Sequence, residues 1–118
     1  MEADECEILV VDDIEDNRYT LERRLKRDGY QNVTLVDGGA AALNSINEQQ
    51  FDLVLLDLMM PEISGLDVLK TLKADPLNLH IAVIMVTAAD EIETAAECIS
   101  FGADDFISKP FNLSLIHI

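Results

Sequence analysis

The chain has 118 residues, 49% of them hydrophobic, and a formal net charge of −15 at pH 7. That is enough for one domain with a true core, and too acidic to favour nucleic-acid phosphates or anionic lipid. No apolar run approaches the roughly 18 residues of a membrane span, the opening MEADECE is unlike a secretory signal, and Cys6 and Cys98 form neither a disulfide framework nor a metal motif.

Residues 6–11, CEILVV, have the pattern of a buried strand that stops at Asp12 and Asp13. Residues 15–28 are charged, with Leu21 and Leu25 on one face, which predicts a helix; Gly29 suits its C-terminal cap. Residues 32–37, NVTLVD, are short and β-branched, a strand punctuated by Gly38 and Gly39. Residues 40–48, Ala-rich with Leu43 and Ile46, predict a short helix. The stretch FDLVLLDLMMP at 51–61 holds a strand buried on both faces that runs straight into Asp57. A carboxylate there suits a site better than a core, because ligands of open α/β sheets lie outside the carboxyl ends of the strands.

Residues 59–64 read as a loop held by Pro61, with Ser64 as N-cap of a helix over 65–74 whose inner residues are Leu66, Leu69 and Leu72. Asp75 and Pro76 break that helix. Residues 81–86, IAVIMV, are a fourth buried strand, ending at Thr87. Residues 90–101 place Ile92, Ala95, Ala96 and Ile99 at helical spacing, which predicts a helix with those four as its inner stripe and Gly102 as its cap. Residues 105–108 form a weaker fifth strand before Lys109 and Pro110, and 112–118 begin a short last helix. Residues 1–118 therefore read as a single α/β domain with a parallel sheet and helices on both faces. A last helix this short fits either a segment cut from a longer protein or a non-native ending LSLIHI.

Four strand ends carry polar groups: Asp12 and Asp13, Asp57, Thr87, and Lys109. In a parallel sheet these ends share one edge. Three carboxylates there repel one another; Lys109 relieves part of this, and a divalent cation relieves more. Oxygen-only ligands suit a hard ion such as Mg²⁺ (or Mn²⁺). The chemistry that uses all five groups is phosphoryl transfer to a carboxylate, with Asp57 as nucleophile and Thr87 and Lys109 binding the phosphoryl oxygens.

VVDD at 10–13, LLDLMMPEISGLD at 55–67, VIMVTA at 83–88 and GADDFISKPF at 102–111 strongly resemble the receiver domain of two-component response regulators. The resemblance covers essentially the whole chain. It implies a flavodoxin-like doubly wound sheet of five parallel strands in the order 2-1-3-4-5, and a cytoplasmic phosphorelay switch rather than a free-standing enzyme. It implies that Asp57 takes a phosphoryl group from a sensor histidine kinase or a histidine phosphotransfer protein. Asp12, Asp13, Asp57 and the backbone carbonyl of Met59 would hold the metal. The Lys109-Pro110 peptide bond would be cis. Thr87 and Phe106 would form the switch, altering the surface of the fourth helix, fifth strand and fifth helix for an output domain or protein downstream. Phe106 stands where the family more often has Tyr, so an inward ring gains burial without a terminal hydrogen bond. Met59 and Ala89, apolar at the rim, imply slow hydrolysis of the phosphoryl group. A thin last helix would expose apolar surface suited to a homodimer.

Other readings compete. Asp57 could cap the turn after its strand, Asp12 and Asp13 could be N-caps, Thr87 a plain β-branched residue and Lys109 a surface charge. A receiver that no longer takes phosphate would be a binding module. A phosphatase with an Asp nucleophile needs a second acid two residues later, where this chain has Met59. His80 and His117 read as surface residues, Cys6 and Cys98 as small core residues, Met59 and Met60 as packing, and Glu15, Asp16, Asp104 and Asp105 as solvated faces.

Overall fold

Five aliphatic runs become five parallel strands in a computed structural model that describes residues 2–109. They are β1 (Glu7–Val11), β2 (Asn32–Val36), β3 (Leu53–Asp57), β4 (Ala82–Thr87) and β5 (Asp105–Ser108), in the order β2-β1-β3-β4-β5. Between them lie α1 (Glu15–Arg27), α2 (Gly39–Glu48), α3 (Gly65–Ala74) and α4 (Ile92–Ser100). The parallel sheet with helices on both faces expected from the alternation of strands and helices is observed, in the doubly wound strand order that the resemblance implies. The proposed last helix over 112–118, His117 and the Lys109-Pro110 peptide bond fall outside the described residues.

Strand geometry sends alternate side chains to opposite faces, so the sheet separates two apolar layers. Leu9, Val11, Val54, Leu56, Val83 and Met85 pack with Ala42, Val68, Leu69, Leu72 and Cys98 from α2, α3 and α4. Ile8, Val10, Leu53, Leu55 and Val86 pack with Leu21 and Leu25 of α1. Both faces of β3 are covered, which is why it is a continuous apolar run. Cys6 and Cys98 lie in these layers, as expected of small core residues.

Helix ends follow local chemistry. Ser64 Oγ accepts from the Asp67 N–H and caps α3. Gly29, with φ 103°, takes the left-handed conformation just beyond α1. Leu69 and Leu72 are buried as expected, joined by Val68, while Leu66 is only partly covered.

The inner stripe assigned to the fourth helix needs correction. Ala95 and Cys98 face the core, whereas Ile92 and Ile99 remain 45% and 40% exposed, and Ala96 is exposed too. A 3-10 turn at Ala89–Glu91 delays the helix. The buried face is turned roughly a quarter turn from the apolar stripe toward Cys98, because small residues let the helix approach β4 closely. Asp104 is also more than a solvated charge. Its Oδ2 accepts from the Val83 N–H at 2.8 Å, at the start of β4. Asp52 does the same for β1, accepting from the Glu7 N–H at 2.9 Å.

Candidate functional site

The register brings the acids together. Val11 pairs with Leu56, and Asp57 with Val86, so the chain leaving β1 passes the end of β3. Carboxylate oxygens of Asp12, Asp13 and Asp57 lie within 4.8 Å of one another. Asp12 and Asp57 are buried and Asp13 is exposed. Lys109 Nζ reaches Asp57 Oδ1 at 3.2 Å from beyond β5. Thr87, fully buried at the end of β4, donates its hydroxyl to the Ile107 carbonyl at 3.4 Å. The three predicted acids and Lys109 are thus brought into one cluster, with Thr87 at the same edge.

Asp12 divides its two oxygens. Oδ1 accepts from the Ile14 N–H at 2.9 Å and from Asn17 Nδ2 at 3.4 Å. Oδ2 is buried and has no hydrogen-bond partner among the described residues. An unpaired buried carboxylate oxygen is costly, and its position beside two other carboxylates is what a bound cation would satisfy. The donors are all oxygen, which suits a hard divalent ion. The cap reading of Asp12 and Asp13 does not hold: Ile14 is the N-cap of α1 and no side chain caps it, while Asp12 Oδ1 closes a turn just ahead of the helix.

Asp57 responds to the same surroundings. Burial, and then the neighbouring charge of Asp12, push its carboxyl up from 3.8 to about 7, with Lys109 pulling against both. A cation in the cluster would pull further in the direction of Lys109.

The loop after Asp57 is tightly set. Pro61 and Ile63 close a γ-turn around Glu62, whose φ of 67° is the one left-handed value at a non-glycine residue among those described. The Gly65 N–H donates to the Leu58 carbonyl at 2.8 Å. A Cβ at Gly65 would stand 2.2 Å from the Asp57 carbonyl oxygen, so only glycine fits between α3 and the end of β3. Met59 was expected to pack and does not: it is 62% exposed at the rim, while Met60 is buried. A loop pinned by Gly65 on one side turns alternate residues outward. The Met59 carbonyl accepts no hydrogen bond among the described residues.

Three neighbours were not anticipated. Arg18 Nη1 donates to the Asp12 carbonyl at 2.8 Å and Asn17 touches the Asp12 carboxylate, both from the first turns of α1. Glu91 accepts from the Ala88 N–H with its carboxylate. For Asn17 and Arg18 the signal was present: a polar residue five or six positions past an acid, on a helix starting just after it. Phe106 is half-buried against the layer that holds α2 to α4.

A doubly wound sheet with an acid cluster, a lysine and a hydroxyl residue at its carboxyl edge is the arrangement that the receiver resemblance implies. The family model for the response regulator receiver domain matches residues 8–118. The chain belongs to that family. It is 43% identical over 112 residues to the transcriptional regulatory protein ZraR of Escherichia coli K12, covering 95% of this chain and 25% of the relative. It is 40% identical over 105 residues to the response regulator PleD of Caulobacter vibrioides, covering 89% of this chain and 23% of PleD. The chain thus spans about a quarter of these relatives. Among solved structures, the receiver domain of NtrX from Brucella abortus superposes with a TM-score of 0.84 at 34% identity, covering 92% of this chain and 89% of that one. No helix among the described residues is long and apolar enough to cross a membrane.

Proposed function

We propose that this receiver domain is a phospho-accepting switch in which Asp57 takes a phosphoryl group from a phosphohistidine of a sensor histidine kinase or histidine phosphotransfer protein. An Asp57 oxygen attacks phosphorus, the P–N bond breaks, and its electron pair stays on the imidazole. Little covalent chemistry is asked of the protein; positioning and charge neutralisation dominate. Asp12, Asp13, Asp57 and the Met59 carbonyl would hold Mg²⁺ or Mn²⁺, which when bound neutralises phosphoryl oxygens. Lys109, already 3.2 Å from Asp57, pairs with a phosphoryl oxygen as it forms. The Thr87 hydroxyl leaves the long bond to Ile107 and donates to another.

The single observation that supports this most is the unsatisfied Asp12 Oδ2 beside a buried Asp57. A purely structural cluster would be expected to satisfy that oxygen. Thr87 and Phe106 then act as the switch: movement of the hydroxyl opens room behind it, and the half-buried ring follows. The altered surface is read by an output domain or a separate protein. The test is incubation with Mg²⁺ and acetyl phosphate, read by intact mass. An adduct in the native chain that Asp57→Asn abolishes is expected. An adduct that survives that substitution, or none in the native chain, sinks the proposal and leaves a phosphate-independent binding module.

A further inference from the structure

One hydrogen bond at the edge of the acid pocket does something the phosphoryl-acceptor reading does not use. The Ala88 N–H, the next backbone donor after Thr87, is held by the carboxylate of Glu91. The 3-10 turn at Ala89–Glu91 folds this side chain back onto the residue that begins the turn. Glu91 is half-buried, and no lysine or arginine pairs with it among the described residues.

The register decides where that N–H lies. Asp57 sits opposite Val86, and the Leu58 N–H donates to the Val86 carbonyl at 3.0 Å. Adjacent strands are about 4.8 Å apart and rise about 3.3 Å per residue. Continuing β4 by two residues carries the Ala88 N–H past the Asp57 backbone, into the space that a phosphoryl group on its side chain extends into. A backbone N–H that serves one anion serves another, and charge-assisted bonds of this kind are the strong ones.

We propose that Glu91 is an internal competitor of the phosphoryl group, a positioning residue that holds the Ala88 N–H while Asp57 is free and must release it when Asp57 is modified. This rests on Asp57 being the phospho-acceptor and adds a control on it. Withdrawing Glu91 frees a donor for the phosphoryl oxygens. Glu91 therefore restrains phosphorylation, and because it lies just ahead of α4, its release also frees the start of that helix.

Titration of the intact chain with beryllofluoride and Mg²⁺, followed by calorimetry, tests this against the simpler idea that Glu91 only caps the turn. Glu91→Ala is expected to bind beryllofluoride roughly tenfold more tightly than the native chain, the size of one lost charged hydrogen-bond competitor. Glu91→Gln, which keeps an acceptor and loses the charge, is expected to fall between them, since neutral bonds are about half as strong. Both variants also lower the thermal midpoint, as loss of any cap would. A lowered midpoint with unchanged beryllofluoride affinity overturns the inference. If Glu91→Ala does not fold, Glu91→Gln alone decides, with affinity equal to the native chain as the overturning result. A native chain that takes no beryllofluoride refutes the Asp57 reading itself, and the competitor with it; a native chain that binds while the variants match it refutes only the competitor.

Discussion

The two edges of the sheet use aspartate in opposite ways. At the amino edge, Asp52 and Asp104 each close the start of a neighbouring strand, taking the Glu7 and Val83 N–H groups at 2.9 and 2.8 Å. Their charge is spent on local structure. At the carboxyl edge, Asp12 keeps a buried oxygen without a partner among the described residues, and burial with like charge pushes the Asp57 carboxyl up to about 7. The same residue type stabilises at one end and strains at the other. What separates a structural acid from the proposed phospho-acceptor here is whether the backbone has already satisfied it.

Substitutions can break that contrast. The largest expected effect is all-or-none: Asp57→Asn loses the Mg²⁺-dependent phosphoryl adduct by intact mass, while Asp104→Asn retains it. Loss in both would show that the two edges are not independent.

The next effect is on pH. Above 3.8 the unfolded chain releases the Asp57 proton, while the folded chain keeps it to about 7. The folded state binds more protons across that window, so this group's contribution to stability falls as pH rises from about 4 to 7 and is level beyond. Urea midpoints across that range should carry this decline in the native chain, and Asp57→Asn should remove it. Cation binding, which requires the ionised form, should weaken as pH drops below 7.

Asp104→Ala strands the Val83 N–H and should cost about 1–3 kcal/mol in urea unfolding, with adduct formation preserved. Asp13→Ala should do the reverse. Relief of repulsion raises stability by up to about 1 kcal/mol while Mg²⁺ affinity drops in a calorimetric titration, and a chelator should leave the native fold intact. The smallest effect belongs to the loop after Asp57. Glu62→Gly removes a left-handed φ from a side-chain-bearing residue and should stabilise by about 0.5–1 kcal/mol.

Much of the fold could be read from the chain because its signals are local. Aliphatic runs marked the strands, and the bounds of α3 and β5 follow from Ser64, Pro76 and the short run DFIS. The clustering of Asp12, Asp13, Asp57 and Lys109 was legible once the strands were taken as parallel, since parallel ends share an edge. Part of what escaped depended on partners far away in sequence. The N–H that Asp104 takes belongs to a residue 21 positions earlier, and for Asp52 the separation is 45. No composition rule points to such a bond. The facing of α4 was missed because periodicity measures which residues are apolar, and packing depends on which are small. Ala95 and Cys98 win the contact over the larger Ile92 and Ile99. Met59 was misplaced for the complementary reason: an apolar residue in a loop points where the backbone sends it, and Gly65 sets that backbone.

Gly65 has a consequence for anyone mapping this domain by random substitution. It bears no functional group, yet a single methyl there would collide with the backbone of Asp57 itself, 2.2 Å from its carbonyl oxygen. A screen scored on signalling would rank this position with the acids, and a screen scored on folding would find it too. Only the ratio of the two scores would separate a residue that performs chemistry from one that leaves room for it.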